Sequence, residues 1–166
     1  MRRVPEGPVR GWSRFGSGPV RLLLGVALAM LCGCTGGIRP PAGVSPEVVE
    51  FVVTGYCDCG KCCGWERNWL QFGAPVYSSG PLKGQRKAVG VTASGTETRM
   101  GTAAVDRRRY PFGTVFEVPG YGFAQAEDVG GAIKGNAIDL WFPSHEAARR
   151  WGRRRLKVKV WRNRKK

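Results

Sequence analysis

The sequence predicts a mainly β fold, a small β-barrel with one helix. Short apolar runs recur between turns rich in glycine and proline, and they predict strands at 89–96, 102–106 and 115–118. Residues 156–161 alternate between apolar and basic types, which is typical of a strand with one buried face. One helix is indicated between Ser144, a favourable N-cap, and about Gly152.

The first 33 residues predict export from the cytoplasm. Arginines precede the apolar run 22–31, which is too short to span a bilayer comfortably. The run ends in Leu-Cys-Gly-Cys at 31–34, which resembles the lipobox of bacterial lipoproteins. This implies a signal peptide at 1–33 and lipidation of Cys34, whereas an uncleaved anchor or a plain secretory signal is the alternative. Thr35 is not the aspartate that retains many lipoproteins at the inner membrane, so outer-membrane delivery is expected in a two-membrane cell.

The remaining chain divides by composition and charge. Residues 34–47 predict a flexible tether, 48–161 the folded domain, and 162–166 a basic tail. The formal charge is +15, and loss of residues 1–33, which carry +4, leaves +11. Such a charge favours acidic partners in general. Because no base-reading module accompanies it, we expect an anionic cell wall or phospholipid rather than nucleic acid.

Four thiols lie within seven residues of the chain. They are Cys57, Cys59, Cys62 and Cys63. In an exported protein they indicate disulfides, with three pairings open, and a strained vicinal bridge is disfavoured. A metal site is the alternative, but the spacing differs from the usual two-plus-two ligand pattern, so no metal is expected. His145, the single histidine, is interpreted as a capping or packing residue rather than a base.

The glycine-rich stretch 127–142 contains two candidate catalytic carboxyl groups. Asp128 and Asp139 lie eleven residues apart, each at the edge of an apolar run, with Lys134 between them. Poor solvation raises the pKa of a carboxyl group, and a second carboxylate raises it further. Such a group can donate a proton at neutral pH. Equally, both aspartates can cap turns by accepting bonds from backbone amides.

The segment 65–87 is predicted to be a long, exposed stretch of chain outside the core of the domain. It places aromatic residues, among them Trp65, Trp69, Phe72 and Tyr77, between glycine, proline and serine. Aromatic faces pack well on carbohydrate rings, so the segment could line a sugar-binding groove. Alternatively, it caps one end of the barrel.

Several motifs together resemble the 3D domain, which is named for three aspartates. They are TASGT at 92–96, AVD at 104–106, PFGT at 111–114, EDVGGAIKGNAID at 127–139 and FPSHEAARRWG at 142–152. The three aspartates match Asp106, Asp128 and Asp139. The resemblance covers nearly all of 48–161 and implies a six-stranded double-psi β-barrel with one or two short helices. Membrane-bound lytic transglycosylase A and the stationary-phase survival proteins share this barrel.

The resemblance implies a peptidoglycan lytic transglycosylase with Asp139 as general acid and then base. Asp128 and Asp106 would be its neighbours in one groove. Sugar-orienting roles are expected of Ser94, Thr96, Thr114 and Lys134. The implied partner is the peptidoglycan glycan strand, bound by a monomer without metal or organic cofactor. The alternatives are a non-catalytic wall-binding or wall-loosening module, and a hydrolase that adds water.

Overall fold

The computed structural model describes residues 37–162. Residues 1–33, Cys34 and nearly all of the basic tail lie outside this part, so the structure does not bear on those predictions. In chain order the elements are β1 (Glu47–Tyr56), α1 (Gly60–Cys63), β2 (Trp65–Asn68), β3 (Ala74–Tyr77), β4 (Thr102–Val105), β5 (Val115–Val118), β6 (Gly122–Asp128), β7 (Ala137–Trp141), α2 (His145–Trp151) and β8 (Arg154–Trp161).

Six of these strands close into a barrel in the order β1-β7-β4-β6-β5-β8. The pairs β1–β7 and β4–β6 are parallel, and the other neighbours are antiparallel. β2 and β3 form a separate hairpin. The predicted mainly β class and six-stranded barrel with short helices are confirmed. Within the described residues, no helix is both long and apolar enough to cross a membrane.

The strand register brings distant polar residues together. Thr54 of β1 pairs with Asp139 of β7, and on the other side of β7 Asp139 pairs with Ala104 of β4. Ala104 in turn pairs with Asp128 of β6, after a register shift between Ala103 and Ala104. Two carboxylates eleven residues apart in the chain therefore lie on strands separated only by β4.

Three aromatic rings form the centre of the barrel core. Phe51, Tyr110 and Phe116 are fully buried, and their ring centroids are 5.1 to 5.8 Å apart. Such tilted and edge-to-face contacts are favourable beyond the area that they bury. The Tyr110 hydroxyl donates to the Asn136 side-chain oxygen at 2.7 Å, so its polar end is paired. The barrel interior is thus filled by side chains, and the candidate site lies outside it.

Helix α2 lies against the outside of the barrel. Its Trp151 is buried and packs against the rings of Tyr121 and Phe142. Gly55 of β1 permits the close approach, because a Cβ there would lie 2.8 Å from the Phe142 ring.

Ser144 caps α2, and its removal is expected to weaken the domain. The Ser144 hydroxyl accepts a hydrogen bond from the Ala147 amide at 3.1 Å. Ser144→Ala leaves that amide without its partner, so the free energy of unfolding should fall by about 0.5–2 kcal/mol. Chemical denaturation measures the change, and Ser79→Ala, at an exposed position, is the control. Equal unfolding midpoints for the two variants would contradict the capping role.

One predicted strand is absent from the described residues. Residues 89–96 contain a single bridge between Val91 and Glu97 rather than a strand. The hydroxyl of Thr92 instead bonds to those of Ser94 and Thr96, both at 2.9 Å, and the Gly95 amide bonds to the Thr92 carbonyl. Hydroxyl side chains that bond locally compete with strand pairing, and here they form a turn.

Candidate active site

A cleft of about 520 Å³ on the outer face of the barrel contains two of the three predicted aspartates, Asp128 and Asp139. One wall comes from the end of β1 and the loop that follows it, including Tyr56, Asp58 and Cys63. The opposite side comes from residues 87–93 and the glycine-rich start of the β6–β7 connection. The cleft is therefore a concave space lined by polar groups, which is the usual form of a ligand site.

Asp139 is sheltered because it lies in the middle of a barrel strand. Its neighbours Ile138 and Leu140 are fully buried in the core, and the alternation of the strand turns the Asp139 side chain the other way, into the cleft. The Thr54 hydroxyl donates to Asp139 Oδ1 at 2.7 Å. Burial raises the pKa of Asp139, the charge of Asp128 raises it further, and the bond from Thr54 lowers it, with a net increase. Asp139 therefore keeps its proton to a higher pH than an exposed aspartate.

Asp128 is held in place by three donors. The amides of Ala93 and Val129 donate to Oδ1 at 3.0 and 2.9 Å, and the Tyr56 hydroxyl donates to Oδ2 at 3.0 Å. Burial and the neighbouring Asp128 raise the pKa of Tyr56, so the phenol stays protonated and remains a donor. The two carboxyl groups thus have different surroundings, with three donors on Asp128 and one on Asp139.

Asp106 does not line this cleft. Its Oδ2 accepts from the Gly135 amide at 3.0 Å, and its Oδ1 accepts from the Arg108 amide at 3.2 Å. The bond from Gly135, the bond from Arg108 and the charge of Lys134 lower the pKa of Asp106. Contrary to the expectation of a shared groove, Asp106 fixes the glycine-rich segment that leads into β7.

The predicted sugar-orienting residues are mostly placed elsewhere. Thr114 is buried, and its hydroxyl donates to the Pro111 carbonyl at 2.7 Å. Lys134 is exposed and acts on Asp106 rather than on the cleft carboxylates. Ser94 and Thr96 bond to Thr92, and of these three hydroxyl residues Thr92 is the one that lines the cleft. The hydroxyl groups of Ser94, Thr96 and Thr114 form hydrogen bonds within their own turns, and Lys134 does not line the cleft. Roles as sugar contacts are therefore not supported for these residues.

Several residues of the site were missed from the sequence. Thr54 and Tyr56 are two apart on β1 and contact the two cleft carboxylates. The sequence did contain a signal for these two residues, because polar side chains at alternate positions of an apolar strand lie on the same face. Lys87 supplies a cation at the cleft and lies 4.3 Å from the centre of the Tyr77 ring. Nothing in the segment 65–87 singled out this lysine.

Asp58 links the cleft wall to the barrel. Its carboxylate accepts from the Trp141 indole at 2.9 Å and from the Thr98 hydroxyl at 2.8 Å, while its carbonyl accepts from the Trp65 indole at 2.7 Å.

Glu127 has a comparable structural role beside Asp128. It is buried, ion-paired with Arg99 at 2.6 Å, and accepts a bond from the Thr102 hydroxyl at 2.8 Å.

The four cysteines of residues 57–63 are free thiols in the structure. The sulfurs of Cys57 and Cys62 are 3.8 Å apart, well beyond the roughly 2.05 Å of a disulfide bond. The Cys63 thiol donates to the Cys57 carbonyl, and burial raises its pKa to about 11. Ser144 is the cap of α2, so His145 does not cap the helix. Its ring instead packs against the sulfurs of Cys59 and Cys62.

Comparison with known proteins identifies the segment that holds all three aspartates. Residues 101–162 match the family described as the 3D domain. YabE of Bacillus subtilis (strain 168), named for a proposed role in shaping the cell wall, is 49% identical over 57 residues, 34% of this chain and 14% of YabE. YocH of the same organism, named a cell wall-binding protein, is 45% identical over 75 residues, 43% of this chain and 26% of YocH. The chain thus matches less than two thirds of either relative.

Proposed function

The chain carries a 3D domain, and from this premise we propose that it is a peptidoglycan lytic transglycosylase. The observation that supports the proposal most is the sheltered carboxyl of Asp139, whose pKa is raised by burial and by Asp128 beside it in a polar cleft. A positioned acid whose pKa approaches the working pH is what general acid catalysis requires. The names of the matched relatives add a connection with the cell wall.

The proposed reaction uses one side chain twice. The Asp139 carboxyl donates its proton to the oxygen that joins N-acetylmuramic acid to N-acetylglucosamine, and the bond from that oxygen to C1 breaks. The Asp139 carboxylate then takes the proton of the muramic C6 hydroxyl while its oxygen bonds to C1. The products are a 1,6-anhydro end and a free 4-hydroxyl group, Asp139 regains its proton, and no water is consumed.

The neighbours of Asp139 support this double role. Asp128 raises the pKa of Asp139 by like-charge repulsion, which favours the acid before the sugar bond breaks. The Thr54 hydroxyl donates to the same carboxyl and fixes its orientation. Asp128 is itself restrained by backbone amides, so the electrostatic influence comes from a fixed position. We assign Asp106 a positioning role through the Gly135 segment.

A glycan-binding module without activity is the second candidate. Trp69 and Phe72, at the exposed turn between β2 and β3, are 86% and 101% exposed. Side chains of this kind can lie on sugar rings without any chemistry. The name of YocH is consistent with a binding role in that protein.

Digestion of purified sacculi separates these functions. The chain is incubated with the sacculi, and the released fragments are analysed by mass spectrometry. A lytic transglycosylase produces 1,6-anhydro ends, whereas a hydrolase produces reducing ends that are heavier by one water molecule. Sedimentation with the sacculi and no released fragments would overturn the proposed reaction and favour the module.

We also propose that the protein works as a monomer in the cell envelope, outside the cytoplasm, and is anchored to a membrane by lipid on Cys34. The apolar run and the lipobox-like sequence at 31–34 support this location. The folded domain would then reach the wall through residues 34–47. Membrane fractionation tests the anchor, because Cys34→Ala should move the protein out of the membrane fraction, and unchanged partition would contradict the lipid.

The pH dependence of the activity should change when Asp128 is neutralised. Activity requires protonated Asp139, so it falls as pH rises through the pKa of Asp139. Asp128→Asn removes the repulsion that raises this pKa, and the decline should therefore begin at lower pH. Release of fragments from sacculi, measured across pH, gives both profiles. Tyr56→Phe is the matched control because it removes one donor to Asp128 and leaves the charge. A decline at unchanged or higher pH in Asp128→Asn would refute the coupling.

A further inference from the structure

Three thiols and one imidazole converge beside the cleft. One ligand atom from each of these residues lies within 4.8 Å of all the others. They are Cys57, Cys59, Cys62 and His145. We propose that they bind one divalent metal ion of the zinc type as a closed structural site. This proposal concerns a different set of residues from the cleft carboxylates and does not depend on the proposed reaction.

Three of the six distances between the ligand atoms match a tetrahedral site, and the other three are no longer than 4.8 Å. With metal–sulfur bonds of about 2.3 Å and metal–nitrogen bonds of about 2.0–2.1 Å, a tetrahedron has sulfur–sulfur edges of roughly 3.8 Å and sulfur–nitrogen edges of roughly 3.5 Å. The Cys57 and Cys62 sulfurs are 3.8 Å apart. The His145 Nδ1 atom lies 3.5 Å from the Cys59 sulfur and 3.3 Å from the Cys62 sulfur.

The local fold explains how this short segment presents three thiols together. The amides of Cys62 and Cys63 both bond to the Cys59 carbonyl, at 3.1 and 2.9 Å, which closes α1 into one turn. Gly60 lets that turn lie against the next strand, because a Cβ there would lie 2.2 Å from the Trp65 carbonyl oxygen. The fourth ligand comes from the first residue of α2, 83 residues after Cys62.

The set of donors favours zinc and a structural role. Three thiolates and an imidazole are soft and borderline ligands that suit zinc, and four protein ligands leave no open position for a substrate. Cys63 is not one of the four converging residues, and its thiol donates instead to the Cys57 carbonyl. The arrangement therefore assigns different roles to adjacent cysteines.

Such an ion would fix one wall of the cleft. Tyr56, Asp58 and Cys63 line the cleft and are each adjacent in the chain to a proposed ligand, and the ligand Cys62 lines the cleft as well. A metal bound to both the α1 segment and α2 would connect this wall to the helix packed on the barrel. Metal binding that requires the folded arrangement also stabilises it.

Zinc content tests the site against a disulfide. The full-length chain, purified without added metal or chelator, is analysed for metal by mass spectrometry and for free thiols after denaturation. We expect one zinc ion per chain, falling to none in Cys59→Ser and in His145→Ala. Cys63→Ser is the matched control and should retain one ion. Loss of two thiols as a Cys57–Cys62 disulfide, with no metal present, would overturn the proposal.

Cobalt reconstitution keeps the test valid where a ligand variant fails to fold. Wild-type protein is stripped by chelation, its fold is checked by circular dichroism, and Co²⁺ is added. A tetrahedral thiolate site gives intense visible absorption bands that zinc then abolishes by displacement. Weak bands typical of octahedral, oxygen-bound cobalt would contradict the assigned ligands.

Discussion

Asp139→Asn is expected to lower the release of anhydro fragments from sacculi by a factor of about 10²–10⁴, the usual contribution of a positioned general acid. The asparagine has nearly the same shape, and its side-chain oxygen can still accept the bond from Thr54. It has no acidic proton to donate and no carboxylate to take the C6 proton. Binding to sacculi, measured by sedimentation, should remain close to that of the wild type.

Asp106→Asn provides the comparison for that loss. Asp106 bonds to the Gly135 and Arg108 amides and does not line the cleft, so its replacement should reduce activity far less than Asp139→Asn. Its effect should be seen instead as a lower unfolding temperature. Equal losses of activity in the two variants at equal stability would contradict the assignment of Asp139 as the proton donor.

Phe116→Ala is expected to lower the free energy of unfolding by about 3–5 kcal/mol, the usual cost of truncating a buried phenylalanine. The Phe116 side chain is fully buried and contacts the rings of Phe51 and Tyr110. Removing it leaves a cavity in the barrel centre and deprives both rings of edge contacts. Denaturant unfolding of the two proteins measures the difference directly.

Phe123→Ala is the matched control for the core variant. Phe123 lies on the neighbouring strand β6, is 41% exposed, and has one ring contact, with Trp161 at 6.1 Å. Because the Phe123 side chain is partly exposed, its truncation leaves little cavity and should lower the free energy of unfolding by about 1 kcal/mol or less. Similar costs for the two variants would show that the aromatic cluster does not dominate the stability of the barrel.

The barrel was predictable because its signals are local. Alternation in 156–161, short β-branched runs and frequent turns identify strands without knowledge of their partners. The error at 89–96 has a local cause as well, since Thr92 satisfies its hydroxyl within a turn. Strand order was not accessible in this way, and the resemblance to the 3D domain implied only the type of barrel.

The candidate site was predictable only in part. Asp128 and Asp139 could be chosen because each borders an apolar strand, and the barrel does bring them to one cleft. Asp106 has a similar setting in the sequence, yet backbone amides of a loop occupy its oxygens. Whether a carboxylate binds amides or faces a cleft depends on the position of a distant segment, which residue type does not reveal.

The thiol cluster shows the same limit more clearly. The spacing of Cys57, Cys59 and Cys62 gives three candidate ligands, and the fourth lies 83 residues later at the start of a helix. Without the contact between α2 and the α1 segment, His145 resembles any isolated histidine. The cysteine spacing alone therefore does not show the usual two-plus-two pattern of zinc ligands, because the fourth ligand lies outside the cysteine segment.

The titration of the Asp139 carboxyl, followed by ¹³C NMR and assigned by its absence in Asp139→Asn, tests the central claim most directly. The account predicts a pKa clearly above the ordinary aspartate value of about 3.9, because burial and Asp128 both disfavour the charged form. A pKa at or below that ordinary value would mean that Asp139 is ionised at neutral pH, and the proposed proton donor would be contradicted.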